Sequence, residues 1–282
     1  SSRDHALARR TTTLRGDGRM IRKYAGLLLS FFKASAMADL EYRLNIVMKV
    51  FTDVIWYVAQ LSVFEVLFKH TDSISGWTLE SMRVFMAVLF LVDAFWMLIF
   101  QENLDRFSDK VRRGDLDMVL AKPVNAQFMM SVQKMSTPYL VNVFLTFGWM
   151  IYSLMQLPGG FEWTRLFTLI ITVPCGLAIA YGLRFVFSAT ALIFARAENI
   201  VYIWYQLYRL AMRPDTVYPP WLRYLVLTLL PVGFIASVPT QLILGLQTVV
   251  FIGLAMLMAA LVLWLSTLYW RFALRFYSSA SS

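Results

Sequence analysis

The segment running from Arg106 to Phe128, RFSDKVRRGDLDMVLAKPVNAQF, has residue types and spacings suited to recognising another protein. Asp109, Lys110, Arg112, Arg113, Asp115, Asp117 and Lys122 supply both signs of charge, and Leu116, Val119 and Leu120 fall on one helical face. The pattern predicts two short helical pieces broken at Gly114. Asp115 is expected to cap the second, and Pro123 to stop it just before Asn125. An apolar stripe flanked by charges that fix register is what a soluble partner needs for docking. The alternative is a solvated loop packed on its own bundle.

Four further groups stand out. Tyr202, Tyr205 and Tyr208 recur every three residues around Trp204, so they share a helical face. Ring faces of this kind can hold a lipophilic or cationic substrate weakly, at about 0.5–2 kcal/mol per cation–π contact. A belt of Tyr and Trp at a membrane surface would be the competing explanation. Arg184 interrupts an apolar run. A charge there costs roughly 2.5–3.5 kcal/mol on insertion scales unless it pairs or snorkels, so it is expected to point into the assembly, with snorkelling as the alternative. Pro214, Pro219, Pro220, Pro231 and Pro239 break residues 213–245 repeatedly. Broken apolar backbone at membrane depth is tolerated only against protein or a water-filled cavity. Asp53, Glu65 and Asp93 lie in apolar stretches, with Asp93 nearest mid-span. Such an acid either couples ion movement or hydrogen-bonds a neighbouring helix.

Motifs for catalysis are missing. No GxxxxGK[ST], HExxH or GxSxG occurs. Cys175 is alone in an apolar run, and His5 and His70 do not form a metal-ligand set. No cofactor or metal is therefore expected on this chain. Uphill movement of a substrate would need energy from a partner or from an ion gradient.

The elements that must position these residues are apolar helices. Hydrophobic residues make up 59% of the 282 positions and charged ones 15%, against about a quarter charged in ordinary soluble domains. The net charge of +9 gathers at the ends of apolar segments, which argues for membrane orientation rather than nucleic-acid binding. Residues 1–19 carry five arginines and no apolar run, so a mobile basic tail is expected, without the core of a signal peptide. Met20 is a candidate natural start. From Ile21 to Leu44, Arg22, Gly26, Ser30 and Lys33 form a polar stripe beside Ile21, Tyr24, Leu28, Phe31 and Phe32. That suits a helix lying in the membrane interface, or the first turns of a spanning helix.

Spans of roughly 20 apolar residues are expected at Ile46–Phe68, Met82–Phe100, Pro138–Leu157, Arg165–Phe194 and Gly245–Trp270, with a short aromatic one at Ile200–Met212. The third closes on Pro158-Gly159-Gly160. The fourth is read as one long helix ending at the polar turn 195–199, the alternative being a break at Gly182–Arg184. The expected fold is thus an all-α membrane protein with six transmembrane helices, an N-terminal interfacial helix and a broken, re-entrant stretch before the last helix. With both termini inside, the Lys and Arg count outside the tail, leaving out Arg184, is fourteen cytoplasmic against six external.

The run DKVRRGDLDMVLAKPVN resembles the cytoplasmic element of ABC-2 type permeases, of the branch with a GxLDxxLxxPxN pattern. Gly114, Leu116, Asp117, Leu120, Pro123 and Asn125 match it position by position. Lys122 fits the basic residue before the proline, and Ala121 stands where a bulkier apolar residue is usual. Phe194-Ala-Arg-Ala-Glu198 is similar to the charged turn between the fourth and fifth helices. Tyr218-Pro-Pro-Trp-Leu-Arg223, Leu230-Pro-Val-Gly-Phe-Ile235 and Pro239 resemble the gate before the last helix. The resemblance runs from Met20 to the C-terminus. It implies a multi-pass permease of the bacterial cytoplasmic (inner) membrane that pairs with a second, non-identical permease, each binding an ABC ATPase subunit that carries ATP and Mg. In this branch some systems export viologen-type organic cations. The coupling element would be 102–134, the extracytoplasmic gate 213–245 with Pro219, Pro220, Pro231 and Pro239, and the exit route the Tyr202–Tyr208 stripe. A self-contained carrier driven by an ion gradient, or a membrane-embedded enzyme, is the alternative class.

Overall fold

The computed structural model describes the backbone of residues 2–157, 162–194 and 198–277. Among these residues every regular element is helical. Helix α1 (Ser2–Glu41) takes in residues 2–19 of the stretch expected as a tail, and it ends at Tyr42, whose φ of −113° and ψ of 61° leave the helical region. Helix α2 (Arg43–Leu67) follows directly, so α1 is a separate element and not the first turns of a span.

Helix α3 (Leu79–Trp96) starts on a capping box. Ser81 N donates to Thr78 Oγ1 at 3.4 Å and Thr78 N to Ser81 Oγ at 2.8 Å, satisfying two otherwise orphaned donors. It does not stop near Phe100 as its hydropathy suggests. A wide π-type turn at Met97–Gln101 carries it into α4 (Glu102–Asp105) and α5 (Phe107–Arg112). The apolar-to-charged run Leu79–Arg112 is 34 residues, about 50 Å at the helical rise. That exceeds a hydrocarbon core of about 30 Å. A run of that length is longer than one upright crossing requires, and its charged residues follow its apolar ones with no intervening loop.

Beyond Arg113 come α6 (Asp115–Leu120), α7 (Ala126–Val132) and α8 (Tyr139–Met155). Helix α9 (Trp163–Ala189) continues through a 3-10 turn to Leu192. The fourth apolar run is thus one helix with no break at Gly182–Arg184. The Pro158-Gly159-Gly160 turn and residues 195–197 lie outside the described residues. Then follow α10 (Glu198–Tyr208), α11 (Pro220–Leu227), α12 (Ser237–Ile243) and α13 (Val250–Ala273).

Among the described residues, four helices are long and apolar enough to cross a membrane: Arg43–Leu67, Leu79–Arg112, Trp163–Leu192 and Val250–Phe276. Two of the six expected spans are shorter, at 17 residues for α8 and 11 for α10. Helix α3 is the axis of the bundle, with 72% of its apolar window buried against 6% for α2. Two glycines permit the closest packing. A Cβ on Gly182 of α9 would sit 2.7 Å from Val262 Cγ1 of α13, and one on Gly176 only 2.8 Å from the Ile235 carbonyl oxygen. The second contact presses the proline-broken segment onto α9, and residues 231–240 are all buried.

Candidate functional site

The 102–134 element is held rigidly to the end of α3. Phe107 and Leu116 are wholly buried, and the Phe107 ring lies 5.9 Å from Phe185 and 6.1 Å from Trp270. Asn103 clamps the far end: its Nδ2 donates to the Lys134 carbonyl at 2.5 Å and its Oδ1 accepts from Lys134 N at 3.0 Å. Lys134 also reaches Glu102 at 2.5 Å. Between these anchors the chain reverses at Gly114, whose φ of 76° is a left-handed conformation that favours glycine.

The break at Gly114 is where the sequence pattern places it, but two details differ. Gly114 itself occupies the cap position and no side chain caps α6, so Asp115 is the first helical residue and not the cap. Its carboxylate still lies favourably in the first turn. Leu116 and Val119 point inward, whereas Leu120 is exposed, because the turn towards Pro123 begins at Ala121. The outward surface accordingly carries Arg112, Arg113, Met118, Leu120, Lys122, Pro123 and Asn125. Asp109 is partly buried and pairs with Arg112. Lys110 is also partly buried. Asn125 caps α7 by accepting from Phe128 N at 3.0 Å.

Helix α1 braces the same element. Lys23 Nζ donates to the Pro123 carbonyl at 2.9 Å, and the rings of Tyr24 and Phe128 meet edge to face at 4.9 Å. Ser35 accepts from Met135 N at 3.0 Å, and Asp39 accepts from Thr137 N at 2.9 Å and from its hydroxyl at 2.7 Å. These contacts run along one face of α1, and Tyr24 and Asp39 serve it although neither belongs to the Arg22–Lys33 polar stripe.

Arg184 is fully buried inside the chain's own fold. It donates to Asp105 at 2.9 Å, to the Leu104 carbonyl at 3.1 Å and to Ser188 Oγ at 2.6 Å. Tyr205 donates to the same Asp105 carboxylate at 3.0 Å. The arginine therefore faces protein, as its cost in lipid requires, and it ties α9 to α4 while α10 closes over the pair.

Next to this cluster is a cavity of about 270 Å³ between α2, α3 and α10. Two carboxylates line it, Asp53 from α2 and Asp93 from α3, with the rings of Trp56, Trp96, Trp204, Tyr205 and Tyr208 and the amide of Gln101. Tyr208 and Asp93 both line it, and Asp53 accepts from Asn142 Nδ2 at 2.7 Å. Tyr205 and Tyr208 of the aromatic stripe thus reach one cavity. Tyr202 is largely exposed and lines no part of it, and Arg184 stays behind its wall. Carboxylates beside several ring faces suit a cation, and the rings alone suit a lipophilic molecule.

At the other end of the bundle the proline-broken segment is organised by Asp215, a residue the sequence reading passed over. Only 2% exposed, its carboxylate accepts from Arg223 Nε at 2.7 Å, from Ser237 and from Gln241. Pro219 precedes α11 and Pro220 is its first residue, where a missing N–H costs nothing. Pro231 precedes the 3-10 turn Val232–Phe234, and Pro239 is in the first turn of α12. Trp77 Nε1 donates to Thr216 Oγ1 at 2.7 Å, tying the α2–α3 loop to this segment. One signal could have found the hub: an aspartate inside an aromatic, proline-rich stretch with an arginine eight positions on.

Comparison with curated proteins and with solved structures gives no match. The family described as ABC-2 family transporter protein matches residues 54–281, which takes in the Gly114–Asn125 pattern, the Asp215 segment and the cavity lining apart from Thr52 and Asp53. The chain belongs to the ABC-2 transporter family, and so is a transmembrane component of an ABC transporter rather than a catalytic enzyme.

Proposed function

We propose that this chain is the permease subunit of an ATP-driven ABC exporter that moves a lipophilic or cationic substrate across the bacterial cytoplasmic membrane. One observation carries the reading. The same run of helical pieces, Leu79–Arg112, lines the cavity through Asp93, Trp96 and Gln101 and leads at its end into the 102–134 element. A force applied at Arg112–Asn125 by a closing ATPase would move the cavity wall directly. The turn at Met97–Gln101 lies between the two, and π-type turns recur at functional sites.

In this reading α8 and α10 complete six crossings with both termini cytoplasmic, and the 213–245 segment is a re-entrant extracytoplasmic gate. The almost uncovered α2, with Leu44, Val47, Phe51 and Ile55 exposed, meets lipid and a second, non-identical permease. ATP and Mg belong to the partner ATPase. ABC-2 permeases typically work with such ATPases. Isolation in mild detergent tests this. A co-purifying chain with a GxxxxGK[ST] motif, and nucleotide hydrolysis confined to the complex, is expected. Hydrolysis by the chain alone, or isolation with no ATPase from a source that transports, would refute it.

Asp93 favours a second reading, a carrier driven by an ion gradient. Its carboxylate is buried in an apolar helix beside Asp53, where a carrier would bind its coupling ion.

A further inference from the structure

We infer that the groove between α9 and α13 holds one anionic phospholipid, with its phosphate on Arg271 and Arg275 and an acyl chain along α13. The groove has a volume of about 860 Å³. Met258, Leu261, Leu265, Leu268 and Phe272 form its α13 wall at alternating spacings of three and four, a single helical stripe, and Phe187 of α9 faces them. The last four of the α13 residues are between 42% and 49% exposed, so the described residues leave about half of this wall uncovered.

Charge enters at one end only. Arg271 and Arg275 lie in the final turns of the apolar helix, where it leaves the membrane, and both are exposed. Among the described residues neither has an ion-pair partner. From Arg271 back to Met258 the stripe covers about 20 Å at the helical rise. That is more than the roughly 15 Å from the edge of the hydrocarbon core to its centre. The far end is closed by the apolar run Leu229–Pro231. A slot that is basic at the membrane surface and apolar to mid-bilayer depth complements an amphiphile with one anionic end. Basic pockets between spanning helices are used in this way for lipid head groups.

The test is native mass spectrometry of the full chain in its complex, titrated with phosphatidylglycerol and separately with phosphatidylcholine of the same acyl chains. Phosphatidylglycerol is expected to be retained preferentially. The double substitution Arg271→Gln and Arg275→Gln should lower its apparent affinity about thirtyfold, the fold-change matching about 1 kcal/mol for each basic residue at an anionic surface. The same pair should weaken phosphatidylcholine much less, because its choline already offsets the phosphate charge. Leu265→Trp, which fills the slot and keeps both arginines, should weaken both lipids. Equal retention of the two lipids by the wild type would overturn the assignment. So would wild-type phosphatidylglycerol affinity in the double variant, or a photo-crosslinker at position 268 that captures a second protein chain and not lipid.

Discussion

Replacing Arg184 with Met should destabilise the chain by about 3 kcal/mol, and the structure sets that size. Breaking a buried ion pair by removing one partner costs about 3–5 kcal/mol, because the other charge is stranded. Asp105 is 33% exposed and keeps the Tyr205 hydroxyl, so water and one remaining donor place the loss at the lower end of that range. The Leu104 carbonyl and Ser188 also lose a donor, although these two can still bond each other at 3.3 Å. At roughly 2–4 °C per kcal/mol for chains of about this size, the melting point of the detergent-solubilised protein should fall by about 6–12 °C. Asp105→Asn keeps an acceptor for both Arg184 and Tyr205 and should cost less. In combination with Arg184→Met it should recover about 1–2 kcal/mol, since no charge is then left unpaired. The assay is loss of the monodisperse peak on size exclusion after heating, for the wild type, both single variants and the double. A shift under 2 °C for Arg184→Met, or strict additivity in the double variant, would refute the claim that this pair locks α9 to α4.

Gly114→Pro should leave membrane insertion intact and uncouple ATP hydrolysis from transport, because proline cannot adopt a φ of 76° and must redirect α6; normal transport by this variant would mean that the element is only a solvated connection. Asp215→Ala should cost about 3 kcal/mol by leaving Arg223, Ser237 and Gln241 without their shared acceptor, the lower end for a broken buried pair because Arg223 is 43% exposed to water, and Asp215→Asn distinctly less, as read from melting points and protease sensitivity of residues 213–245. Alanine at Tyr205 and Tyr208 together should change substrate preference more than protein abundance; unchanged export of every tested compound would leave these rings as packing alone.

Hydropathy and local punctuation carry the helical class far. The apolar runs mark helices because a span must satisfy its own backbone hydrogen bonds, and Gly114 marks the break because its two flanking pieces each carry a helical stripe. The single run of α9 was readable too, since an arginine interrupts hydropathy without breaking a helix. What was not readable depends on partners distant in sequence. Asp105 looked like one charge among many, and its importance comes from Arg184, which lies 79 positions away. Asp215 sat in a proline-rich stretch whose irregularity hid the fact that its backbone is buried and tied by side chains. The helical run Leu79–Arg112 extends past the apolar segment because a helix can carry charged residues beyond it without a loop, which composition alone does not record. The aromatic stripe does not keep to one face: a three-residue period rotates steadily around a helix, so Tyr202 lies outside while Tyr208 lies inside. Leu120 likewise fitted the stripe by spacing yet faces outward where α6 gives way to the Pro123 turn.

The central claim is that an ATPase drives this chain through the 102–134 element, and transport in inside-out vesicles containing the full complex tests it most directly. Accumulation of a fluorescent lipophilic cation should require ATP, persist when proton and sodium gradients are collapsed with ionophores, and disappear in Gly114→Pro while hydrolysis continues. Accumulation driven by an imposed proton or sodium gradient without ATP, and lost on replacing Asp93 with Asn, would contradict it.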